Sequence, residues 1–145
     1  LTGSAVTGLT SPTYTLSADT PPTNGKQYYV SALGGTQTGV VVHSSSRPFT
    51  LAAFRPPSVQ QLPAVNSQGA LPRVPTNAYR WVTRKSVIPL AGQPGRNLVI
   101  TTLAEVPAGA DVADPVEIAA AISAHTAMLA SGAVGMYDTI LTSAV

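Results

Sequence analysis

The residues of this chain that could do chemistry are few. There are two histidines, His43 and His125, and six carboxylates: Asp19, Glu105, Asp111, Asp114, Glu117 and Asp138. His125 and Ser123 stand two apart in a helical stretch, so they point to different sides and cannot form a nucleophile–base pair locally. Neither histidine has partners at metal-ligand spacing, and there is no cysteine to supply a thiolate. Asp114 and Glu117 open a helix, where capping accounts for them. No phosphate loop, zinc-protease motif or nucleophile elbow occurs. No catalytic residue, metal site or cofactor is therefore expected, and the chain is not expected to be an enzyme.

Positive charge is the more informative chemistry. Arg80, Arg84 and Lys85 lie in one β-prone run beside Tyr79 and Trp81. Alternate residues of a strand face opposite sides. Arg80, Val82, Arg84 and Ser86 share one side; Tyr79, Trp81, Thr83, Lys85 and Val87 share the other. If the first side is free, two guanidiniums could hold phosphates and Ser86 could add a hydrogen bond. If the second is free, Trp81 could stack on a base beside Thr83 and Lys85. The sequence leaves both registers open, and the charges alone would equally suit a solvated strand. Arg47, Arg55, Arg73 and Arg96 flank strands or sit in loops.

The elements that position these residues change in kind along the chain. Thr13–Leu16, Tyr28–Val30, Val40–His43, Phe49–Phe54, Tyr79–Ile88 and Asn97–Val106 read as strands, rich in Thr, Val and aromatics. Asn24-Gly25 marks a hairpin turn, and Gly34-Gly35 marks a break. Between Ser58 and Asn77, Pro63, Pro72 and Pro75 exclude a central strand, so a long surface loop is expected. Asp114-Pro115-Val116-Glu117 then starts a helix, with Asp as cap and Pro at its first position. Ile118, Ile122, Thr126 and Leu129 form its stripe, and Ser131-Gly132 ends it. A second, shorter helix is expected from Val134 or Gly135 to Thr142. Strands first and helices last predict an α+β fold in one domain over 1–145, with strands at about 13–106 and helices at about 115–142.

Only 10% of the 145 residues are charged, where about a quarter is usual. A monomer so poor in charge would be sticky, so much of its surface is expected to be covered by other copies of itself. The formal net charge of +2 is weakly basic. No run of 18 apolar residues occurs, so no spanning helix is expected, and Leu1–Val6 does not have the pattern of a secretory leader.

The order of strand hairpin, antiparallel strands, loop, last strand and two helices resembles the coat proteins of single-stranded RNA bacteriophages of the levivirus type. The segments that carry the likeness are Asn97-Leu-Val-Ile-Thr-Thr-Leu-Ala-Glu-Val-Pro107 and Asp114-Pro-Val-Glu-Ile-Ala-Ala-Ala-Ile-Ser-Ala-His-Thr-Ala-Met-Leu-Ala-Ser-Gly132. Thr13–Asp19 and Tyr28–Val30 resemble the N-terminal hairpin. The resemblance implies an intertwined homodimer with one continuous sheet, each pair of helices lying over the partner. It also implies an icosahedral shell around single-stranded RNA, a maturation protein as a further partner, and a virion assembled in the bacterial cytoplasm. By position it puts Arg80, Thr83, Arg84, Lys85 and Thr101 among the RNA-binding residues, with an RNA hairpin as packaging signal or translational repressor. The Ser58–Asn77 connection departs from the tight turn common in the family. A β-rich module binding carbohydrate through Tyr14, Tyr28, Tyr29, Tyr79 and Trp81 is the competing reading.

Overall fold

A computed structural model describes residues 1–131 and 135–143. Its elements are β1 (Thr10–Ala18), β2 (Gly25–Thr36), β3 (Phe49–Phe54), β4 (Thr76–Val87), β5 (Arg96–Pro107), α1 (Ala110–Ala113), α2 (Pro115–Ala130) and α3 (Met136–Thr142). The five strands form a single sheet in chain order, each antiparallel to the next. The expected α+β order is therefore the observed one. The ends of the first helix at Gly132 and the start of the second at Val134 lie outside the described residues.

The β1–β2 hairpin turns at Asn24, which sits at φ 58, a left-handed conformation that asparagine tolerates better than most side chains. Gly34-Gly35 does not break β2 as expected. The strand runs through both, and Gly34 pairs with Thr13. A Cβ on Gly35 would collide with the Ser11 carbonyl, so the glycines permit close pairing where β1 bulges. Val40–His43 is also not a strand. β2, the strand it follows, already has β1 and β3 as neighbours and offers it no free edge. It becomes a strap instead, tied by His43 N–H to the Val30 carbonyl at 3.0 Å.

The buried centre is small. Val30 is fully enclosed, and Ala52 and Val82 are buried as a direct cross-strand pair. The two sheet edges differ. The N-terminal segment covers the outer edge of β1, with Gly3 N–H donating to the Pro12 carbonyl and Tyr14 N–H to the Leu1 carbonyl, both at 2.8 Å. Twelve-residue β5 pairs with β4 on one side, and no described segment pairs with its other side. Such an open edge is a template for another strand.

Helix α2 starts at Pro115 as expected, but Asp114 makes no side-chain capping hydrogen bond. The unpredicted turn α1 occupies the link before it and leaves Asp114 at φ −147, ψ 57. No residue of α2 is buried, and among the described residues its backbone lies close to α1 and α3 rather than to a strand. Val116, Ile122 and Met128 are each about half exposed or more. A helix this apolar with no buried residue leaves apolar surface uncovered within the single chain.

Candidate functional site

The strand register sorts the sheet into two faces. Cross-strand partners share a face, so Arg80 stands with Phe54 and Leu103, Val82 with Ala52 and Thr101, and Arg84 with Thr50 and Val99. On the other face Trp81 stands with Ala53 and Thr102, Thr83 with Leu51 and Ile100, and Lys85 with Phe49 and Leu98. Asn77, Tyr79 and Val106 belong to this second face. They line a hollow of about 460 Å³ together with Leu62, Val112 and Ile118. The helices therefore leave the sheet on the Trp81 side, and the Arg80–Arg84 face is free of them.

Of the five residues expected to bind RNA, the structure brings Arg80, Arg84 and Thr101 onto the helix-free face. It puts Thr83 and Lys85 on the opposite one. No single face holds all five, because Arg84 and Lys85 are consecutive in a strand.

Each cation has its own setting. The Arg80 guanidinium lies over the Phe54 ring at 4.5 Å, which holds the fork flat on the face while leaving the residue exposed. Arg84 is half-buried beside Thr50. Their Cα atoms are about 13 Å apart, four residues along an extended strand. Lys85 is spoken for. Its Nζ donates to the Val41 carbonyl at 2.7 Å and lies over the Phe49 ring at 4.6 Å. Burial pushes its ammonium below the usual lysine range, and the nearby charge of Arg47 adds to the effect. Lys85 thus locks the 40–43 strap onto the sheet.

Ser86 does not join the arginines as a free donor. It is 2% exposed, and its Oγ fills the space that a Cβ on Gly95 would take. Three further participants carry no signal in the sequence. Phe54 carries Arg80, Thr50 flanks Arg84, and the Val41 carbonyl ties down Lys85; each depends on strand register or on the path of the strap. Among the described residues neither histidine is hydrogen-bonded to a carboxylate. His43 Nδ1 accepts the Phe49 N–H at 3.0 Å, and its ring lies 5.2 Å from that of Tyr29. Among the described residues no three His, Asp or Glu side chains gather into a possible metal site, and no helix is long and apolar enough to cross a membrane.

The chain is similar to the protein in the virus-like particle of bacteriophage ESE020, with 42% identity and a TM-score of 0.87 over 100% of this chain and 95% of that one. It belongs to the coat proteins of levivirus-type RNA phages. The virus-like particle of Wenzhou levi-like virus 4 shares the fold, at 17% identity and TM-score 0.54, over 97% of this chain and 83% of that one. No protein-family model matches the sequence, and a search of curated proteins finds no match. As a phage coat protein this is a structural capsid subunit and a component of the virion, not an enzyme. That membership also sets aside a carbohydrate-binding module. Of the aromatics that reading used on this strand, Tyr79 is half-buried and Trp81 is exposed on the helix side of the sheet.

Proposed function

We propose that two copies of this coat protein pair along their β5 edges, and that the dimers close into an icosahedral shell enclosing single-stranded RNA. One observation carries the reading. The chain leaves an open β5 edge, an exposed Trp81 and a sixteen-residue helix with no buried residue. Pairing along β5 joins two sheets into one, and each α2 then reaches the other copy's Trp81 face. The Ala53 position opposite Trp81 leaves a shallow hollow there, lined also by Tyr28, Leu51 and Thr83. A helix rich in alanine can approach such a surface closely.

In this reading the Arg80 face lines the interior. Arg80 and Arg84 neutralise phosphates, Thr101 and Thr50 offer hydroxyls, and the twofold doubles the set into four guanidiniums on one continuous sheet. Phosphate contacts of this kind package RNA without choosing its sequence. An RNA hairpin used as a packaging signal or repressor would engage the same face. Thr83 and Lys85 act instead on the helix side, in the dimer and in the strap. Assembly takes place in the host cytoplasm, with a maturation protein as a further partner.

Size-exclusion chromatography of the expressed protein, followed at the nucleic-acid and protein absorbance bands, tests this. A void-volume peak rich in nucleic acid, shifting to dimers on disassembly, is expected. Monomers free of nucleic acid at all concentrations would defeat the reading.

A further inference from the structure

The connection from 58 to 75 is not needed to join β3 to β4, which pair directly. It is also built more firmly than a connection requires. At its base the Asn77 side chain, 6% exposed, acts as a strand partner. Its Oδ1 accepts the Gln60 N–H at 2.8 Å and its Nδ2 donates to the Gln60 carbonyl at 3.1 Å. Leu62 rests on Gly109, where a Cβ would crowd it at 3.1 Å. At the tip, Asn66 closes a turn. Its N–H donates to the Ala70 carbonyl at 2.8 Å, and its Oδ1 accepts the Gln68 and Ala70 N–H groups, both at 3.0 Å. Gly69, at φ 76, completes the turn.

This ordered arm ends in apolar side chains. Val65 is 60% exposed and Leu71 47% exposed, on either side of the Asn66–Ala70 turn. The only charge between 58 and 77 is Arg73. A fixed tip loses little conformational freedom on docking, which favours an interface over a spacer. Its base lies on the helix side of the sheet, beside Tyr79 and Ile118 and away from the arginine face. Lack of charge and position both argue against RNA as its occupant.

We propose that the 58–75 arm docks on a second copy of this chain, as a contact between dimers in the shell. This rests on the capsid reading. A closed shell needs a contact between dimers as well as one within them. The β5 edge and α2 supply the inner contact, and the arm is a preformed apolar projection outside both.

Two measurements test it. Val65→Asp with Leu71→Asp alters only exposed side chains, so folded dimers are expected, with particle yield reduced at least tenfold. Val65→Cys introduces the sole thiol of the chain, and its maleimide labelling is expected to be at least tenfold slower in particles than in dimers. Wild-type particle yield in the Asp variant, or equal labelling rates in dimers and particles, would overturn the proposal. Absence of particles from the unmodified protein would instead overturn the capsid reading on which it rests. If the Asp variant does not fold, Val65→Ser with Leu71→Ser takes its place under the same criteria.

Discussion

Replacing Arg80 and Arg84 together by alanine removes two charges from the helix-free face of each copy, four from a dimer, and leaves the strand register intact. Each phosphate contact on a single strand contributes about 0.7 to the slope of log affinity against log salt, so losing the four of a dimer lowers the slope by about 2.8. Between 50 and 200 mM salt, a fourfold change, the unmodified dimer is expected to lose roughly fiftyfold more affinity than the variant. The cost to folding is small by comparison. Arg80 gives up its contact with Phe54, worth about 0.5–1 kcal/mol at an exposed site. The assay is fluorescence anisotropy of disassembled dimers with an unstructured RNA oligonucleotide across a salt series. Lys85→Met is the control, since the Lys85 ammonium faces the other way and is bound by Val41. Its salt slope should stay as in the unmodified protein. An unchanged slope for the double arginine variant, or an equal fall in Lys85→Met, would refute the assignment of the interior face.

Three further outcomes follow from the geometry. Trp81 is the sole tryptophan and is 46% exposed in the single chain, so its emission should shift to the blue as dimers form and to the red as they dissociate on dilution; constant emission would mean that α2 of the partner does not cover it. Asn77→Ala strips two hydrogen bonds from the Gln60 backbone and should cost about 2–3 kcal/mol in urea unfolding, with the arm loosened in hydrogen exchange. The side-chain hydrogen bond from Gln27 and the Thr20 N–H hold the Asp19 carboxyl below the ordinary aspartate range. Its contribution is therefore complete above the ordinary value and lost as pH falls through the lowered one. Asp19→Asn should accordingly flatten the acid limb of a thermal-melting profile, and an unaltered limb would show that these bonds are idle.

Much of the fold was legible because its signals are local. A largely apolar run closed by Pro56-Pro57 marked Phe49–Phe54, and a single glycine-rich turn separated Tyr79–Ile88 from Asn97–Val106. Asp114-Pro115 marked the start of α2 although Asp114 does not cap it, because proline's fixed φ favours the first helical turn whether or not a side chain follows. Val40–His43 misled because β propensity measures fit to a pleated surface, and β2, the strand it follows, already had a neighbour on each side.

The sequence by itself determined the order of strands and helices, the scarcity of charge, the lack of catalytic groupings and the alternation that separates Arg84 from Lys85. Which of those two faces is free was decided only by the tertiary structure. That choice depends on where β5 hands the chain to α1 and α2, and both registers satisfy strand alternation equally. The tertiary structure also decided that Lys85 serves the 40–43 strap, that Ser86 is closed in by Gly95, and that the 58–75 segment is a braced arm. Each is a contact between residues far apart in sequence, set by pairing and burial that no local preference encodes.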